Sequence, residues 1–239
     1  MNIAIIFAGG TGQRMNTKTK PKQFLELHSK PILVYTLEQF QRHKRIDAII
    51  LVSLDGWIEY CYELIDQYHL KKTKVVVAGG DTGQESIFNG LKAAMELFPK
   101  NSNVLIHDGV RPLIDENTIN KVIDCVEEYG TAITVSPAIE TIALKRENDA
   151  IVEILDRSKC ALAKAPQCFK LEDIYQAHLQ CQKERKLDFI DSASLMKYYG
   201  YRLYTVEGPS ENIKITTPGD FYIFRAIVDA RENSQIFGI

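Results

Sequence analysis

Five short apolar runs rich in β-branched residues recur through the first 136 residues: 2–7 (NIAIIF), 47–53 (DAIILVS), 74–79 (KVVVAG), 103–108 (NVLIHD) and 131–136 (TAITVS). Their hydrophobicity is continuous rather than alternating, which is the pattern of strands buried on both faces. Between them the apolar positions fall at helical spacing over 31–43, 56–70, 84–98 and 116–130. Pro31 suits a first helical turn and Gly130 a helix stop. Strand and helix in alternation predict right-handed βαβ units, hence an α/β fold with a mostly parallel sheet covered by helices on both faces.

The rhythm breaks near Pro137. Residues 140–157 (ETIALKRENDAIVEILDR) read as two short polar strands around a turn at 146–150, a β-arm at about 137–158 rather than another βαβ unit. Such an arm has little of its own domain to bury against, so the chain is expected to form a homodimer through it. Helices follow near 171–183 and 191–199, strands near 202–206 and 212–216, and a closing helix from Pro218. No linker or repeat interrupts the pattern, and residues 1–239 are read as a single domain.

Charge narrows the function. With 29 Lys+Arg against 31 Asp+Glu the net charge is −2, so no global basic field recruits nucleic acid or a membrane surface, and an anion site has to be a local cluster. No apolar run approaches the ~18 residues of a membrane span, and Met1 leads directly into the first strand, which reads as cytoplasmic. The five cysteines are odd in number and lack a CxxC pair, arguing against both a disulfide framework and a zinc site.

The local cluster lies behind the first strand, in AGGTGQRMNTKTKPKQF, Ala8 to Phe24. A glycine-rich turn lets backbone N–H groups approach a phosphate because no Cβ intervenes. The Walker pattern fails for want of Gly-Lys-Ser/Thr, and the dinucleotide fingerprint fails because Met15 stands where its third glycine belongs. The loop runs roughly twenty residues to Pro31, a length usual for functional loops. Arg14 and Lys22 within it read as a triphosphate clamp, Lys18 and Lys20 as solvated charges. Ligands of such sheets sit beyond the carboxyl ends of the strands, and two more stretches end there. GGDTGQESIFNG offers Gly79 and Gly80 for close approach, with Ser86 as a helix cap or a base contact; HDGVRP offers Asp108 for a metal or a substrate hydroxyl. Arg111 reads equally as a structural ion pair, and His107 as a structural residue at a buried strand end.

Taken in order, AGGTGQRM, PKQF, GG, S…NGL, HDGVRP, DR…APQ, DSASL and ENIKITTP resemble the polyol-phosphate cytidylyltransferases, which comprise the 2-C-methyl-D-erythritol 4-phosphate and ribitol-5-phosphate enzymes; the resemblance spans residue 2 to about 225. It implies a Rossmann-like fold whose arm is exchanged between two subunits, and transfer of CMP from CTP, with Mg²⁺, to a polyol phosphate, giving a CDP-polyol and pyrophosphate. Arg14, Lys22 and Lys214 match the catalytic cations. Ala8, Gly9, Gly10, Gly80, Asp81 and Ser86 match the nucleotide pocket. Asp108 matches the acidic residue beside ribose, acceptor and metal, the metal held directly or through water. Thr141 and Arg157 match the groups that bind the acceptor's phosphate across the dimer, and Thr216 a further pocket residue. Three departures stand out: Gly83 where an arginine is usual, Ala165 for the threonine before Pro166 and Gln167, and Glu140 for aspartate. They cluster on the acceptor side. AGG and the valine of HDGVRP lean toward the ribitol type, whose products serve teichoic acid or capsule, and DSASL toward the erythritol type of isoprenoid synthesis; the ribitol-like acceptor is favoured. Two other readings use the same sheet. An NAD-dependent oxidoreductase needs an acidic residue after the second strand, for which Asp55 is available, and a non-catalytic CTP-binding regulator is suggested by Gly83 and Ala165 but opposed by Arg14, Lys22 and Lys214.

Overall fold

The computed structural model describes residues 1–10, 20–147, 149–186 and 188–237. The continuous apolar runs form β1 (Asn2–Ala8), β4 (Ala48–Ser53), β5 (Thr73–Ala78), β6 (Asn103–Asp108) and β7 (Thr131–Pro137), after a small hairpin of β2 (Glu26–Leu27) and β3 (Lys30–Pro31). The periodic segments form α1 (Ile32–Arg42), α2 (Ile58–Gln67), α3 (Gly83–Leu97) and α4 (Glu116–Tyr129), the last closed by Gly130 in the left-handed region at φ 81°. The arm contains β8 (Ile142–Lys145) and β9 (Ile151–Leu155); β10 (Ala161–Lys170), α5 (Leu171–Lys183), α6 (Ser192–Tyr198), β11 (Thr205–Glu207) and α7 (Pro218–Phe237) complete the chain.

The seven-stranded sheet runs β11-β7-β10-β6-β1-β4-β5. All its pairings are parallel except those of β10, which is antiparallel to both β6 and β7. Alternation along each strand divides the core. Ala4, Ile6, Ile49 and Leu51 pack with apolar residues of α1, α2 and α4, while Ile3, Ile5, Ile50 and Val52 pack with those of α3, α5 and α6. Gly90 lets α3 lie close to the sheet, since a Cβ there would stand 2.7 Å from Ile5 Cγ2 and 2.9 Å from Val52 Cγ2. A third, smaller cluster seats α7 through Phe224 and Val228 against Ile32, Val110 and Ile215. Among the described residues no helix is long and apolar enough to cross a membrane.

Two local expectations are corrected, and one strand was not foreseen. Residues 212–216 form no strand: Ile215 N–H donates to Val110 O at 2.9 Å, and the segment lies as a loop across the end of β6. Pro31 ends β3 and caps α1 at φ −60° and ψ 144°, rather than sitting in the first helical turn. The central strand β10 gave no apolar signal, because Lys164 and Gln167 interrupt it; its pairing with β7 is irregular between Ala163 and Gln167, where Pro166 has no N–H to donate.

The arm has the expected form. β8 and β9 pair antiparallel, and Arg146 N–H donates to Ala150 O at 3.0 Å across the turn. Its apolar side chains are left uncovered by this chain: Ile139, Ile151 and Ile154 are 64–67% exposed.

His107 closes β6 as a structural residue. Fully buried, it packs 5.0 Å from the Phe40 ring, and its Nε2–H donates to Arg111 O at 3.0 Å, holding the loop that follows. Burial lowers its pKa to about 4, so the ring is neutral in the native state. The unfolded chain takes up this proton near pH 6.5, whereas the native chain resists it until about pH 4, so native stability falls as pH drops through that window. The loss attributable to His107 is about 3 kcal/mol. We expect His107→Gln to flatten the fall in thermal stability between those two pH values, as read by melting temperature against pH; an unchanged slope would mean that His107 is not buried neutral.

Candidate active site

The site is assembled from turns at the carboxyl ends of parallel strands. Ala8, Gly9 and Gly10 leave β1, and Gly79 to Thr82 leave β5 for α3. The two turns touch: a Cβ on Gly79 would stand 2.9 Å from Ser86 Oγ, and one on Gly9 would stand 3.1 Å from it. At Gly80 an added Cβ would meet Glu85 Cβ at 2.3 Å, so only glycine fits. Ser86 is not the cap of α3. Thr82 is, accepting from Glu85 N–H at 3.1 Å, while Ser86 Oγ donates to Thr82 O at 2.9 Å and accepts from Gly80 N–H at 3.1 Å. Its hydroxyl thus fixes the turn that forms one wall.

Lys22 also lines this cleft, on the short 3-10 turn Lys22–Phe24. The turn is pinned twice: Gln23 Nε2 donates to Ala8 O at 2.5 Å, and the buried Phe24 ring stacks on Trp57 at 4.7 Å. The Gln23 anchor was not singled out from the sequence, although it stands within the PKQF motif. Lys214, Thr216 and Asp81 complete the cleft, whose volume is about 590 Å³. Thr216 is held by Asp220, whose Oδ2 accepts its N–H at 2.8 Å and its hydroxyl at 2.9 Å. Arg14 lies outside the described residues.

Asp108, buried at the end of β6, is the centre of charge. Its Oδ1 meets Lys214 Nζ at 2.5 Å and its Oδ2 accepts from Arg111 Nε at 3.0 Å. Burial acts to raise the carboxyl's pKa, but the two cations outweigh it and the group titrates below the usual carboxylate range. Arg111 is the structural ion pair anticipated, and its Nη1 also donates to Asn212 O at 2.7 Å, tying down the loop that carries Lys214. Both oxygens of Asp108 are therefore committed to cations, which does not fit a direct metal ligand. The one group of three described His, Cys, Asp or Glu residues with ligand atoms in mutual reach is His28, Asp229 and Glu232, none of which lines the cleft.

A second cleft of about 450 Å³ opens beyond Asp108 and Lys214, between α3, β10 and α6. It shares Phe7, Thr82, Gly83, Asp108 and Lys214 with the first. Gln167, Lys164 and Asp191 line it and were not assigned roles from the sequence. Gln167 joins β10 to α6, donating to Asp191 Oδ2 at 2.7 Å and accepting from Ala193 N–H at 2.9 Å. Thr141 and Arg157 are exposed on the arm and line neither cleft; Arg157 Nη1 donates to Ile139 O at 2.7 Å. Asp55 also lies outside both.

Residues 2–230 match the family of 2-C-methyl-D-erythritol 4-phosphate cytidylyltransferases. The chain is 53% identical, over all of both chains, to a ribitol-5-phosphate cytidylyltransferase of Vibrio parahaemolyticus serotype O3:K6. It is 42% identical to a 2-C-methyl-D-erythritol 4-phosphate cytidylyltransferase of Clostridium acetobutylicum, over 93% of this chain and 95% of the relative. The crystal structure of 4-diphosphocytidyl-2C-methyl-D-erythritol synthase from Anaerococcus prevotii superposes with a TM-score of 0.82 at 27% identity, covering 95% of this chain and 98% of that one.

Lys22→Ala and Lys214→Ala are each expected to lower turnover by ~10²-fold or more, the scale for losing a preorganised group that meets transition-state charge. Their melting temperatures should differ. Lys22→Ala leaves the core untouched, whereas Lys214→Ala strips a cation from the buried Asp108 and destabilises the fold. Normal turnover in either variant would make that lysine a bystander.

Proposed function

The chain belongs to the 2-C-methyl-D-erythritol 4-phosphate cytidylyltransferase family, a family of nucleotidyltransferases, and from that premise we propose that it transfers CMP from CTP to ribitol 5-phosphate, releasing pyrophosphate and CDP-ribitol. The observation that carries the reading is the convergence of Lys22, Lys214 and the Gly9–Gly10 and Gly79–Gly80 turns on one cleft, a layout suited to a nucleoside triphosphate. The absence of the dinucleotide fingerprint counts against the NAD reading, and Asp55 does not line the cleft although its neighbour Leu54 does. Ribitol 5-phosphate is favoured over 2-C-methyl-D-erythritol 4-phosphate because relatives named for it are 52–53% identical over their full length, against 42% for the erythritol-type relative.

The chemistry needs charge cancellation rather than a base. The acceptor's phosphate has a second pKa of ~6 and is largely a dianion near neutral pH. One of its oxygens attacks the α-phosphorus of CTP, and the bond to the bridging oxygen of the departing pyrophosphate breaks in line. His107 is buried and neutral, and takes no proton in this scheme. Lys22, Lys214 and Arg14 meet the charge of two anions brought together. A magnesium ion would add further neutralisation of the triphosphate and, with Asp108 committed to Lys214 and Arg111, would be held chiefly by phosphate oxygens. Ala8 to Gly10, Gly80, Asp81 and Ser86 form the wall for the nucleotide, and Thr216 stands beside Lys214.

In the same reading Thr141 and Arg157 reach the acceptor's phosphate in the site of a second subunit. Neither residue lines a cleft of its own chain, and the arm's apolar side chains are exposed, which supports it, since a two-stranded ribbon is marginal alone and an uncovered apolar surface favours a partner.

With CTP and purified protein, ribitol 5-phosphate should be used with a kcat/KM at least ~10-fold above that for 2-C-methyl-D-erythritol 4-phosphate, a discrimination within reach of a few pocket contacts. The reverse order would move the chain to the erythritol type. The shared site is tested by complementation. Lys22→Ala and Arg157→Ala homodimers should each be nearly inactive. In a refolded equal mixture half the dimers are mixed, and each mixed dimer has one intact site, so recovery should reach roughly a quarter of wild-type activity. No recovery from a mixture shown to have exchanged subunits would mean that the arm serves its own chain.

A further inference from the structure

Two cations hold the segment that carries Lys214. Arg111 Nη1 donates to Asn212 O at 2.7 Å, and Lys164 Nζ, from β10, donates to Ser210 O at 2.8 Å and more weakly to Pro209 O at 3.4 Å. Asn212 Nδ2 in turn donates to Ala165 O at 2.8 Å, which fixes the segment against β10 beside Lys164. Lys164 and Arg111 are thereby ranged with Lys214 along one short stretch, 210–214, and all three line the second cleft. Lys214 lines the first cleft as well, whereas Lys164 and Arg111 do not.

Charge is unbalanced at this junction. Among the described residues Asp108 is the one carboxylate paired with any of the three cations, and it already meets Lys214 and Arg111. Lys164 makes no ion pair; its partners are carbonyl groups. Burial and the like charge of Arg111 lower its pKa, and the exposed Glu211 offsets only part of that. Of the other carboxylates on the cleft, Asp191 is committed to the cap of α6 and to Gln167, and Asp188 is exposed on the segment before α6. An ammonium group has three N–H donors, so at least one on Lys164 is left over. A half-buried cation with a free donor, beside other cations and short of a carboxylate, suits an anion with several acceptor oxygens.

The two clefts decide which anion. The glycine turns and Lys22 that suit a triphosphate line the first cleft, which Lys164 does not reach. The other anion of the reaction is the acceptor's phosphate, which has to stand beside Lys214 in order to attack the α-phosphorus. Resting on the reading of this chain as a polyol-phosphate cytidylyltransferase, we propose that Lys164 is an acceptor-binding residue, donating to the phosphate of the incoming polyol phosphate from the same chain as Lys214. Its flexible four-carbon stem lets the ammonium turn from the carbonyl groups to the phosphate while the backbone stays in place. The phosphate is then met by Lys164 of one subunit and by Thr141 and Arg157 of the other.

The test compares wild type, Lys164→Gln and Lys164→Arg in pyrophosphate release, with CTP and with whichever of ribitol 5-phosphate and 2-C-methyl-D-erythritol 4-phosphate the wild type uses. Lys164→Gln can still donate to the carbonyl groups of the 209–210 turn but carries no charge, and Lys164→Arg keeps the charge. The expected result for Lys164→Gln is a rise of about 10-fold or more in the KM for the acceptor, with the KM for CTP held within about twofold. Lys164→Arg should return the acceptor KM to within about threefold of wild type. If Lys164 only ties down the segment before α7, its loss displaces Lys214, which lines both clefts, and the two KM values move together. That outcome, an unchanged acceptor KM in Lys164→Gln, or no rescue by Lys164→Arg would each overturn the assignment. A wild type that releases pyrophosphate with neither acceptor would overturn the functional reading itself, and this inference with it.

Discussion

Burying a carboxylate at the end of a central strand is costly unless its charge is met, and Asp108 is met twice, by Lys214 and by Arg111. The pairing reaches well beyond the two contacts. Arg111 stands three residues further along the chain, while Lys214 comes from the far end of it, so the carboxylate draws the loop before α7 onto the end of β6. The second hydrogen bond of Arg111, to Asn212 O, fixes the same loop from the other side. Lys214 is thereby held where the two clefts meet.

Around this charge centre the walls are made of backbone. The Gly9 and Gly79 turns pack together beside Ser86 Oγ, where a side chain at Gly79 would crowd them, and one at Gly80 would collide with Glu85. Such a surface offers N–H groups rather than side chains to a ligand, which suits phosphates and a pyrimidine base. Cations then arrive from outside the turns: Lys22 on a segment stapled to β1 by Gln23, and Lys214 on the segment stapled to β6 by Asp108. Both staples bind a mobile type of side chain through a rigid neighbour, so the site keeps its charges in place before any ligand enters.

The arm answers to another constraint. β7 and β10 run on as a pair past the end of the sheet, with Ala161 opposite Pro137, and the ribbon they lead into carries apolar residues that its own chain leaves exposed. Thr141 and Arg157 are likewise exposed on this ribbon and line neither cleft of the same chain.

The sequence by itself determined the parallel half of the sheet and its helices, because strands buried on both faces carry continuous apolar runs and each helix carries its own period; β1, β4, β5, β6 and β7 stand within a residue or two of where those runs fall. It also marked residues that the fold gathers at one cleft, Gly9, Gly10, Lys22, Gly80 and Lys214 among them, since glycines and lysines at strand ends are legible as motifs. Tertiary structure decided the rest. β10 is a central strand although Lys164, Pro166 and Gln167 break its apolar run, because its neighbours β6 and β7 supply the pairing. The 212–216 segment has the look of a strand yet is held as a loop by Asp108, Arg111 and Val110, contacts between residues far apart in the chain. The second cleft was invisible for the same reason: its lining comes from α3, β10, α5 and α6, and no spacing within the chain announces that these elements meet around one cavity.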